Sequence, residues 1–362
     1  EHHYGYTFKD SMYTIETDSE GIEVSRKLTM NEETLSAIAS DDTTTEEVRH
    51  IAQLYSRVFM LSKRLGQLAT GSNAWLKLCD SDGKIHGRIN PNGAVSGRAT
   101  HSTPNMAQVP AVTVEYGKEC RELFGVPKDW YQVGVDCSGL ELRCLAHFLY
   151  PYDGGAYAHE ILNGDIHTAN QMNAGLETRS QAKTFIYGFL YGAGNAKIGE
   201  IVGGTEDDGK RLKEKFLKNT PAIKNLQNAI KDTLAPYSIK QQKRVWQRKW
   251  LKGLDGRKLY VRSLHSALNL LLQSAGALIC KRWLVRTDER LQARGLRHGW
   301  ECDYVLMGWI HDESQWACRN KEIAEIVVEE AQQAVRDVQH EFNFRVQLDT
   351  EGKIGKNWAE CH

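Results

Sequence analysis

The spacing of hydrophobic positions changes several times along the chain, and each change predicts a different element. From Thr44 onward, apolar residues recur every three or four positions, which predicts one long amphipathic helix ending near Gly71. Tyr131, Val133 and Val135 alternate with other residues, which predicts a strand. A helix is expected to follow that strand directly, because apolar positions continue there at helical spacing.

The remaining segments carry other patterns. Residues 1–43 are polar, acidic and weakly periodic, so we expect poor order there, with at most a short strand and turn at residues 14–21. Residues 84–108 predict a strand and polar loops, and residues 150–270 predict mostly helix broken by glycine pairs. A hairpin is predicted over residues 304–318 and a final amphipathic helix over residues 322–342. Ser138 and Glu141 predict a capping box at the start of the helix after the first strand.

The size and composition fit a globular protein. A chain of 362 residues predicts two or three lobes that share a continuous interior. Hydrophobic residues make up 41% and charged residues 25%, and no apolar run reaches the length of a membrane span, which argues against a membrane role. The eight cysteines form no C-x-x-C pair, so the sequence indicates neither a zinc site nor a disulfide framework. We therefore expect a reducing cytoplasm, that of the host if the protein is viral.

Charge is balanced in total but separated along the chain. Lysine plus arginine and aspartate plus glutamate number 46 each. Residues 16–47 are strongly acidic, whereas residues 240–262 are strongly basic and include Trp246, Trp250 and Tyr260 among the cations. This second composition fits a surface that contacts nucleic acid and equally a solvated helix face, so both interpretations stay open.

Two aspartates each stand at the end of an apolar run. Asp136 ends the first predicted strand, and Asp312 lies near the turn of the predicted hairpin. Either one alone is more often a turn former or a helix cap. If the fold brings them together, the two carboxylates form a site for hard divalent cations, which phosphoryl transfer between nucleotides requires. Glu313 would then support the site from beside Asp312.

A helical stripe between the two aspartates carries cations and aromatic rings. Arg179, Lys183, Tyr187 and Tyr191 advance by four positions, so they share one face of a helix. The cations can grip a triphosphate, and the rings can stack on a base or sugar. The spacing alone favours an ordinary amphipathic helix, but a neighbouring pair of aspartates favours substrate binding. His167 is either a further phosphate contact or a structural histidine.

These segments resemble a known family of enzymes. Residues 136–148, 179–194 and 311–313 resemble motifs A, B and C of family A DNA polymerases, the family that includes bacterial DNA polymerase I. The similarity is greatest to the replicases of short-tailed phages, which residues 91–101, 272–278 and 357–362 also resemble. It runs from about Leu65 to the C-terminus and does not include residues 1–43.

The resemblance implies a fold and a reaction. The fold would be α+β, a right-hand polymerase with an antiparallel palm sheet, mostly helical fingers and a partial thumb. Residues 1–78 would form an acidic segment and thumb remnant, 79–148 the first part of the palm, 149–269 the fingers and 270–362 the second part of the palm. The enzyme would be a nucleotidyltransferase that adds deoxynucleotides to a primer 3′ end and releases pyrophosphate, in phage-type DNA replication.

The resemblance also implies a role for each matching residue. Two magnesium ions would be held by Asp136, Asp312 and the backbone carbonyl of Cys137. The triphosphate of the incoming dNTP would be bound by Arg179, Lys183 and His167, and its ribose by Tyr187 and Glu141, which would disfavour a 2′-hydroxyl. Primer-template DNA would be contacted near the minor groove by Arg98, Gln273 and His311. Tyr191 would stack near the templating base.

Relatives of this kind carry a proofreading exonuclease and a fuller thumb upstream of the palm. We therefore expect either a fragment or a chain that works with a separately encoded exonuclease or thumb portion, or with a processivity factor. Three alternatives stay open: a single-subunit RNA polymerase, a non-catalytic DNA-binding subunit, and a nuclease that uses the paired aspartates. Glu141 beside Tyr187 argues against the first of these alternatives.

Overall fold

The computed structural model describes residues 6–8, 12–17 and 23–362. It divides into two compact units, Glu1–Arg88 and Ile89–His362. The predicted boundaries of thumb, palm and fingers stay predictions, because these units are defined by compactness alone. None of the described helices is long and apolar enough to cross a membrane.

The described residues of the first unit form an antiparallel strand pair and three α-helices. Its core is formed by Met12, Leu35, Ile38, Val48 and Ala52. A single π-helical turn, Gly66–Thr70, continues the second helix. The elements are β1 (Tyr13–Thr17), β2 (Glu23–Leu28), α1 (Glu32–Ala39), α2 (Glu46–Leu65) and α3 (Trp75–Leu78).

Part of the prediction for this unit is confirmed and part is wrong. The long helix ends at Gly71 as predicted, after the π-helical turn. The strand expected at residues 14–21 is β1, whereas residues 18–21, where the turn was expected, lie outside the described residues. The expectation of nothing further before residue 43 is wrong, because β2 and α1 form. Asn31 caps α1 by accepting a hydrogen bond from the Thr34 N–H, and the helix buries Leu35.

The second unit carries the sheet and most of the helices. A short 3₁₀ turn, Met106–Gln108, lies near its start. The elements, beginning with a strand at the unit boundary, are β3 (Arg88–Asn90), β4 (Thr100–Ser102), α4 (Gly117–Glu122), β5 (Tyr131–Cys137), α5 (Leu140–Asp153), α6 (Ala156–Asn163), α7 (Ile166–Ala174), α8 (Arg179–Leu190), α9 (Asn195–Glu200), α10 (Glu206–Asn219), α11 (Pro221–Leu234), β6 (Tyr237–Ser238), β7 (Lys243–Arg244), β8 (Trp250–Lys252), β9 (Lys258–Tyr260), α12 (Ala267–Ala293), β10 (Tyr304–Ile310), β11 (Glu313–Cys318), α13 (Lys321–Glu341) and β12 (Thr350–Gly355).

A four-stranded antiparallel sheet with the order β10-β11-β5-β12 is the centre of this unit. Val133 and Val135 of β5 are fully buried, as the alternation predicted. The opposite face is covered as well, because a Cβ at Gly134 would lie 2.0 Å from the backbone oxygen of Cys361. Behind the sheet, α12 and α13 pack together, and the buried indole of Trp283 donates a hydrogen bond to the Ala331 oxygen (2.8 Å). Because both faces of β5 are covered, a polar side chain of this strand is accessible to a ligand only near the strand's end.

The helices after α5 agree with the prediction from the sequence up to residue 234. Glycine pairs or near pairs separate α5 from α6, α8 from α9 and α9 from α10, as predicted. Residues 237–260 were expected to be helical and instead form two hairpins, β6 with β7 and β8 with β9. In the second hairpin the middle residue of each strand, Leu251 or Leu259, is buried. Gly256, between the strands, has a left-handed φ of +85°. The basic residues 240–262 are therefore not the solvated face of a helix. Their contact with nucleic acid stays a prediction.

The capping box predicted from Ser138 and Glu141 does not form. Helix α5 starts after Gly139, which has φ +56°, and no side chain caps its first turn. Glu141 instead accepts hydrogen bonds from residues distant in sequence. The residue pair Thr178 and Gln181 makes a complete capping box at the start of α8, which the sequence analysis missed.

This difference predicts unequal effects of two matched substitutions. Thr178→Ala is expected to lower the free energy of unfolding by about 1 kcal/mol, because it removes a side-chain cap. Ser138→Ala is expected to cost less than about 0.5 kcal/mol, since its hydroxyl caps nothing. Denaturant unfolding of both variants measures the two costs. A larger cost for Ser138→Ala would contradict this assignment of the caps.

Candidate active site

The structure brings Asp136 and Asp312 to the same edge of the sheet. Strands β5 and β11 are antiparallel neighbours, and Glu313 lies opposite Asp136 in their register. The Cys137 N–H donates a hydrogen bond to the backbone oxygen of Asp312 (3.0 Å). The end of β5 and the start of β11 therefore meet, and the two aspartates lie side by side.

The electrostatics of this edge oppose two bare negative charges. Partial burial, followed by the nearby carboxylates of Asp312, Glu313 and Glu351, raises the pKa of Asp136 to about 8. Burial likewise raises the pKa of Asp312 above its ordinary value. Such a pair of hard oxygen donors fits a divalent metal ion. Within the described residues, no group of three or more histidine, cysteine, aspartate or glutamate side chains is arranged to hold a metal by itself.

Glu351 is a carboxylate at this edge that the sequence analysis missed. It lies opposite Asp136 in the register of β12 with β5, so Asp136 has an acidic neighbour on each adjacent strand. Nothing in the local pattern around Glu351 shows that β12 pairs with β5. The acidic edge is therefore a product of the sheet topology.

The raised pKa of Asp136 predicts a pH dependence. A carboxyl group that holds its proton more tightly in the folded state destabilises that state as the pH rises from about 3.8 to about 8. In EDTA, Asp136→Asn is therefore expected to become more stable than wild type as the pH rises, by about 1 kcal/mol at pH 8 after solvent screening. Thermal unfolding across this range measures the difference. Parallel curves for the two proteins would contradict the prediction.

Glu141 joins three elements beside the aspartates. Its carboxylate accepts hydrogen bonds from Arg98 Nη2 (2.7 Å) and from the Tyr191 hydroxyl (2.5 Å). Burial would lower the pKa of Arg98, but the carboxylates of Glu141 and Asp312 raise it. Arg98 thus lies between Glu141 and Asp312, and Glu141 fixes the end of α8 against α5.

Removing the Glu141 carboxylate is expected to be costly. Glu141→Ala would leave the half-buried Arg98 without its partner and release Tyr191, lowering the free energy of unfolding by about 1–3 kcal/mol. Glu141→Gln keeps an acceptor and is expected to cost less. Urea unfolding of the two variants gives the comparison. Equal stability of wild type and Glu141→Ala would show that the contact contributes nothing.

Helix α8 gathers basic groups at its start. Arg179 makes a bidentate ion pair with Asp165, with an Nε–Oδ2 distance of 2.7 Å and an Nη2–Oδ1 distance of 3.2 Å. Asp165 also caps α7, where it accepts a hydrogen bond from the His167 N–H. Partial burial and the charges of Arg179 and Lys183 lower the pKa of His167. Lys183 is exposed and makes no ion pair among the residues the structure describes. The three basic residues therefore form one cluster, with Lys183 free to bind an anion.

Tyr187 connects this basic cluster to the acidic edge. Its ring centroid lies 6.3 Å from that of His167 and 6.5 Å from that of Tyr191. Burial, followed by the charges of Glu141, Asp312 and Asp136, raises the pKa of Tyr187. Tyr187 therefore lies between a pair of carboxylates and a cluster of cations. A ligand that carries metal-bound phosphates can bind in such a place.

The hairpin turn and α12 form a recess next to Asp312. Arg98, Asp312, Trp309, Leu140 and Gly276 are among its lining residues. His311 also lines it and occupies the left-handed region with φ +58°, while the Trp309 indole donates to its backbone oxygen (2.9 Å). Gln273 is half-buried one helical turn before Gly276. Two of the residues expected to contact DNA, Arg98 and His311, thus line one recess.

Two further residues, Glu313 and His101, lie near this recess. Glu313 is 4% exposed and faces the C-terminal turn, where it binds Trp358 Nε1 (2.6 Å) and His362 Nδ1 (2.9 Å). Those contacts lower its pKa despite burial. His101, which the sequence analysis did not single out, has its pKa lowered by burial and by the charge of nearby His311. Glu313 is therefore part of the frame behind Asp312.

Comparison with solved structures identifies the fold as that of a polymerase domain. One match is titled "POL domain of Pol1 from M. smegmatis complex with DNA primer-template and dNTP". The TM-score is 0.71 at 19% sequence identity, and the match covers 97% of this chain and 59% of that one. The expectation of an α+β right-hand polymerase fold is confirmed.

The chain belongs to DNA polymerase family A, whose family model matches residues 13–360. It is 56% identical to the DNA-directed DNA polymerase of Enterobacteria phage T3 and 55% identical to that of Escherichia phage T7, each over 344 residues. DNA polymerase I of Helicobacter pylori is 28% identical over 298 residues, which cover 79% of this chain and 31% of that protein. Both phage alignments cover 92% of this chain and 48% of the relative, so the chain spans about half the length of these relatives. The family resemblance seen in the sequence is confirmed. Its expected start near Leu65 is wrong, because the family match begins at residue 13.

Proposed function

We propose that this chain catalyses template-directed DNA synthesis in phage-type replication. It would add deoxynucleotides to a primer 3′ end and release pyrophosphate. The observation that carries the proposal is the meeting of Asp136 and Asp312 at one sheet edge, with the basic cluster of α8 beside them. Membership in DNA polymerase family A and high identity to phage DNA-directed DNA polymerases support it.

Two magnesium ions are the proposed cofactor. Asp136, Asp312 and the backbone carbonyl of Cys137 would hold them, and these are the hard oxygen donors that Mg²⁺ prefers. When bound, the ions supply positive charge at the attacking hydroxyl and the leaving phosphate. The raised pKa values of Asp136 and Asp312 fit this role, because a cation would offset the burial of both carboxylates and the repulsion of Asp136 by Asp312.

The side chains of α8 would bind and orient the nucleotide. Lys183, Arg179 and His167 would hold the triphosphate, so that its α-phosphorus faces the primer hydroxyl. Tyr187 and Glu141 would line the ribose pocket and disfavour a 2′-hydroxyl. Because Glu141 holds the Tyr191 hydroxyl, the Tyr191 ring, which is 46% exposed, would present its face to the templating base.

Primer-template DNA and dNTPs are the proposed partners. Arg98, Gln273 and His311 would contact the duplex near its minor groove, where acceptors common to all base pairs permit checking without sequence readout. The basic hairpins of residues 240–262 offer further phosphate contacts. The similar POL domain of Pol1 from M. smegmatis is in complex with DNA primer-template and dNTP, which supports this assignment.

A protein partner is proposed as well. Helix α2 exposes apolar side chains at helical spacing, with Leu54, Val58 and Leu65 each about half exposed. We propose that a separately encoded exonuclease or thumb portion, or a processivity factor, strengthens the hold on DNA.

Primer extension tests the proposed function. Wild type and Asp136→Ala are incubated with a labelled primer-template at high concentration, Mg²⁺ and either dNTPs or rNTPs. The proposal expects extension by wild type with dNTPs and none by the variant. Preferred use of rNTPs would indicate an RNA polymerase, and shortening of the primer a nuclease. DNA binding without extension would indicate a non-catalytic or partner-dependent subunit.

A further inference from the structure

The turn between β5 and α5 is held by groups from outside it. The Ser138 N–H donates to the backbone oxygen of Asp349 (3.0 Å), and the Ser138 carbonyl accepts from Arg143 Nε (2.6 Å). Arg143 reaches further through Nη1, which donates to the backbone oxygen of Gln347. Both peptides that flank Ser138 are therefore tied to the segment that precedes β12.

This arrangement determines the direction of the Cys137 carbonyl. In a trans peptide the carbonyl of one residue points opposite to the N–H of the next. Since the Ser138 N–H is directed at Asp349, the Cys137 carbonyl points away from Asp349. The Cys137 N–H is also bound, to the Asp312 oxygen (3.0 Å). The backbone from Asp136 to Gly139 thus has little freedom to rotate.

The anchor at Asp349 is itself fixed. Its carboxylate accepts hydrogen bonds from Gln332 Nε2 on α13 (2.9 Å) and from the Thr350 N–H (3.0 Å). Arg143 closes the other side of the turn with a planar guanidinium, which can bind two carbonyls in a fixed geometry. A lysine ammonium at this place would have one charged nitrogen for two acceptors. The chemistry therefore calls for arginine.

We propose that Arg143 is a positioning residue of the metal site, because it holds the Ser138 turn so that the Cys137 carbonyl and the Asp136 carboxylate face the same ion. The inference rests on the proposed function, which assigns both oxygens to the metal. Arg143 itself would touch neither metal nor substrate. Its removal is expected to loosen a ligand without removing one.

The test measures metal binding apart from catalysis. Mn²⁺, a spectroscopic substitute for Mg²⁺, is titrated into DNA-free wild type, Arg143→Met and Arg143→Lys and followed by its paramagnetic signal. Arg143→Met is expected to raise the Kd for Mn²⁺ about tenfold, the size seen when support of a metal ligand is lost, and Arg143→Lys less. In primer extension the half-saturating Mg²⁺ concentration is expected to rise by a similar factor, with KM for dNTP changing less than about threefold.

Arg345 provides the matched control. It donates through Nη1 to the backbone oxygen of His147 on the same helix α5 (3.4 Å) and lies over the Tyr150 ring (5.9 Å). Arg345→Met therefore removes a comparable arginine–carbonyl contact away from the Ser138 turn. Its Kd for Mn²⁺ and its half-saturating Mg²⁺ concentration are expected to match wild type. Urea unfolding of all variants reports any general loss of structure.

The outcomes separate this inference from the proposed function. An unchanged Kd for Mn²⁺ in Arg143→Met and Arg143→Lys, with binding still lost in Asp136→Asn, overturns the role of Arg143 alone. Equal weakening in Arg345→Met overturns it too, since α5 would then act as a whole. If Asp136→Asn binds Mn²⁺ as well as wild type does, the proposed metal site and this inference both fail.

Discussion

Asp312→Asn is expected to lower the rate of nucleotide incorporation at least about 1,000-fold while the protein stays folded. Asparagine keeps the size of the side chain but removes one of the two negative charges proposed to hold the metal ions, and such electrostatic stabilisation contributes the largest part of phosphoryl-transfer catalysis. In EDTA the variant is expected to be at least as stable as wild type, because burial raises the pKa of Asp312. Single-turnover incorporation and thermal unfolding measure the two effects.

Asp207 offers a matched control for this change. It is exposed in the first turn of α10, within the helical region. Asp207→Asn is expected to incorporate nucleotides at the wild-type rate. Retention of more than a tenth of the wild-type rate by Asp312→Asn would contradict the assignment of this carboxylate to catalysis.

Lys183→Met is expected to lower kcat/KM for dNTP about 100-fold. The ammonium group of Lys183 is exposed beside His167 and Arg179, and a charge-assisted contact to phosphate contributes about 2–3 kcal/mol. Methionine keeps the length of the side chain and removes the charge. Steady-state extension at varied dNTP concentration measures kcat and KM, and a fluorescence binding assay measures the affinity for DNA.

The affinity for primer-template DNA is expected to change little in Lys183→Met, since the proposed contact is to the nucleotide. Lys224, exposed on α11, provides the control, and Lys224→Met is expected to match wild type in kcat/KM. An unchanged kcat/KM in Lys183→Met would remove Lys183 from the triphosphate site. A loss of DNA affinity that accounted for the whole effect would reassign it to the template.

Local patterns in the sequence predicted much of the candidate active site. The alternation of Val133 and Val135 placed Asp136 at a strand end, and the hairpin pattern placed Asp312 near a turn. Four-residue spacing placed Lys183 and Tyr187 on one helix face. These signals are local, so one segment at a time is sufficient to detect them.

Long-range contacts explain most of what the sequence analysis missed. Ser138 and Glu141 have the spacing of a capping box, but Arg98, 43 residues before Glu141, and Tyr191, 50 residues after it, bind the carboxylate instead. The nearness of Glu351 to Asp136 depends on strand pairing that no local pattern encodes. Competition between local and distant partners is decided only by the folded chain.

Two of the wrong predictions could have been avoided from local sequence signals. Asp255-Gly256 is a strong hairpin dipeptide, yet the segment around it was expected to be mostly helical. Asn31 followed by Leu35 and Ile38 has the cap and apolar spacing of a helix start, which α1 confirms. In both segments, a few apolar residues among many charged ones determine the secondary structure.

We propose that Asp136 and Asp312 make this chain a metal-dependent, template-directed DNA polymerase. Single-nucleotide incorporation at saturating primer-template tests this proposal, with each of the four template bases in turn and with Mg²⁺ or EDTA. We expect addition of the complementary dNTP by wild type in Mg²⁺, and no product in EDTA or with Asp136→Asn. Incorporation that survives in Asp136→Asn, or its absence in wild type bound to primer-template, would contradict it.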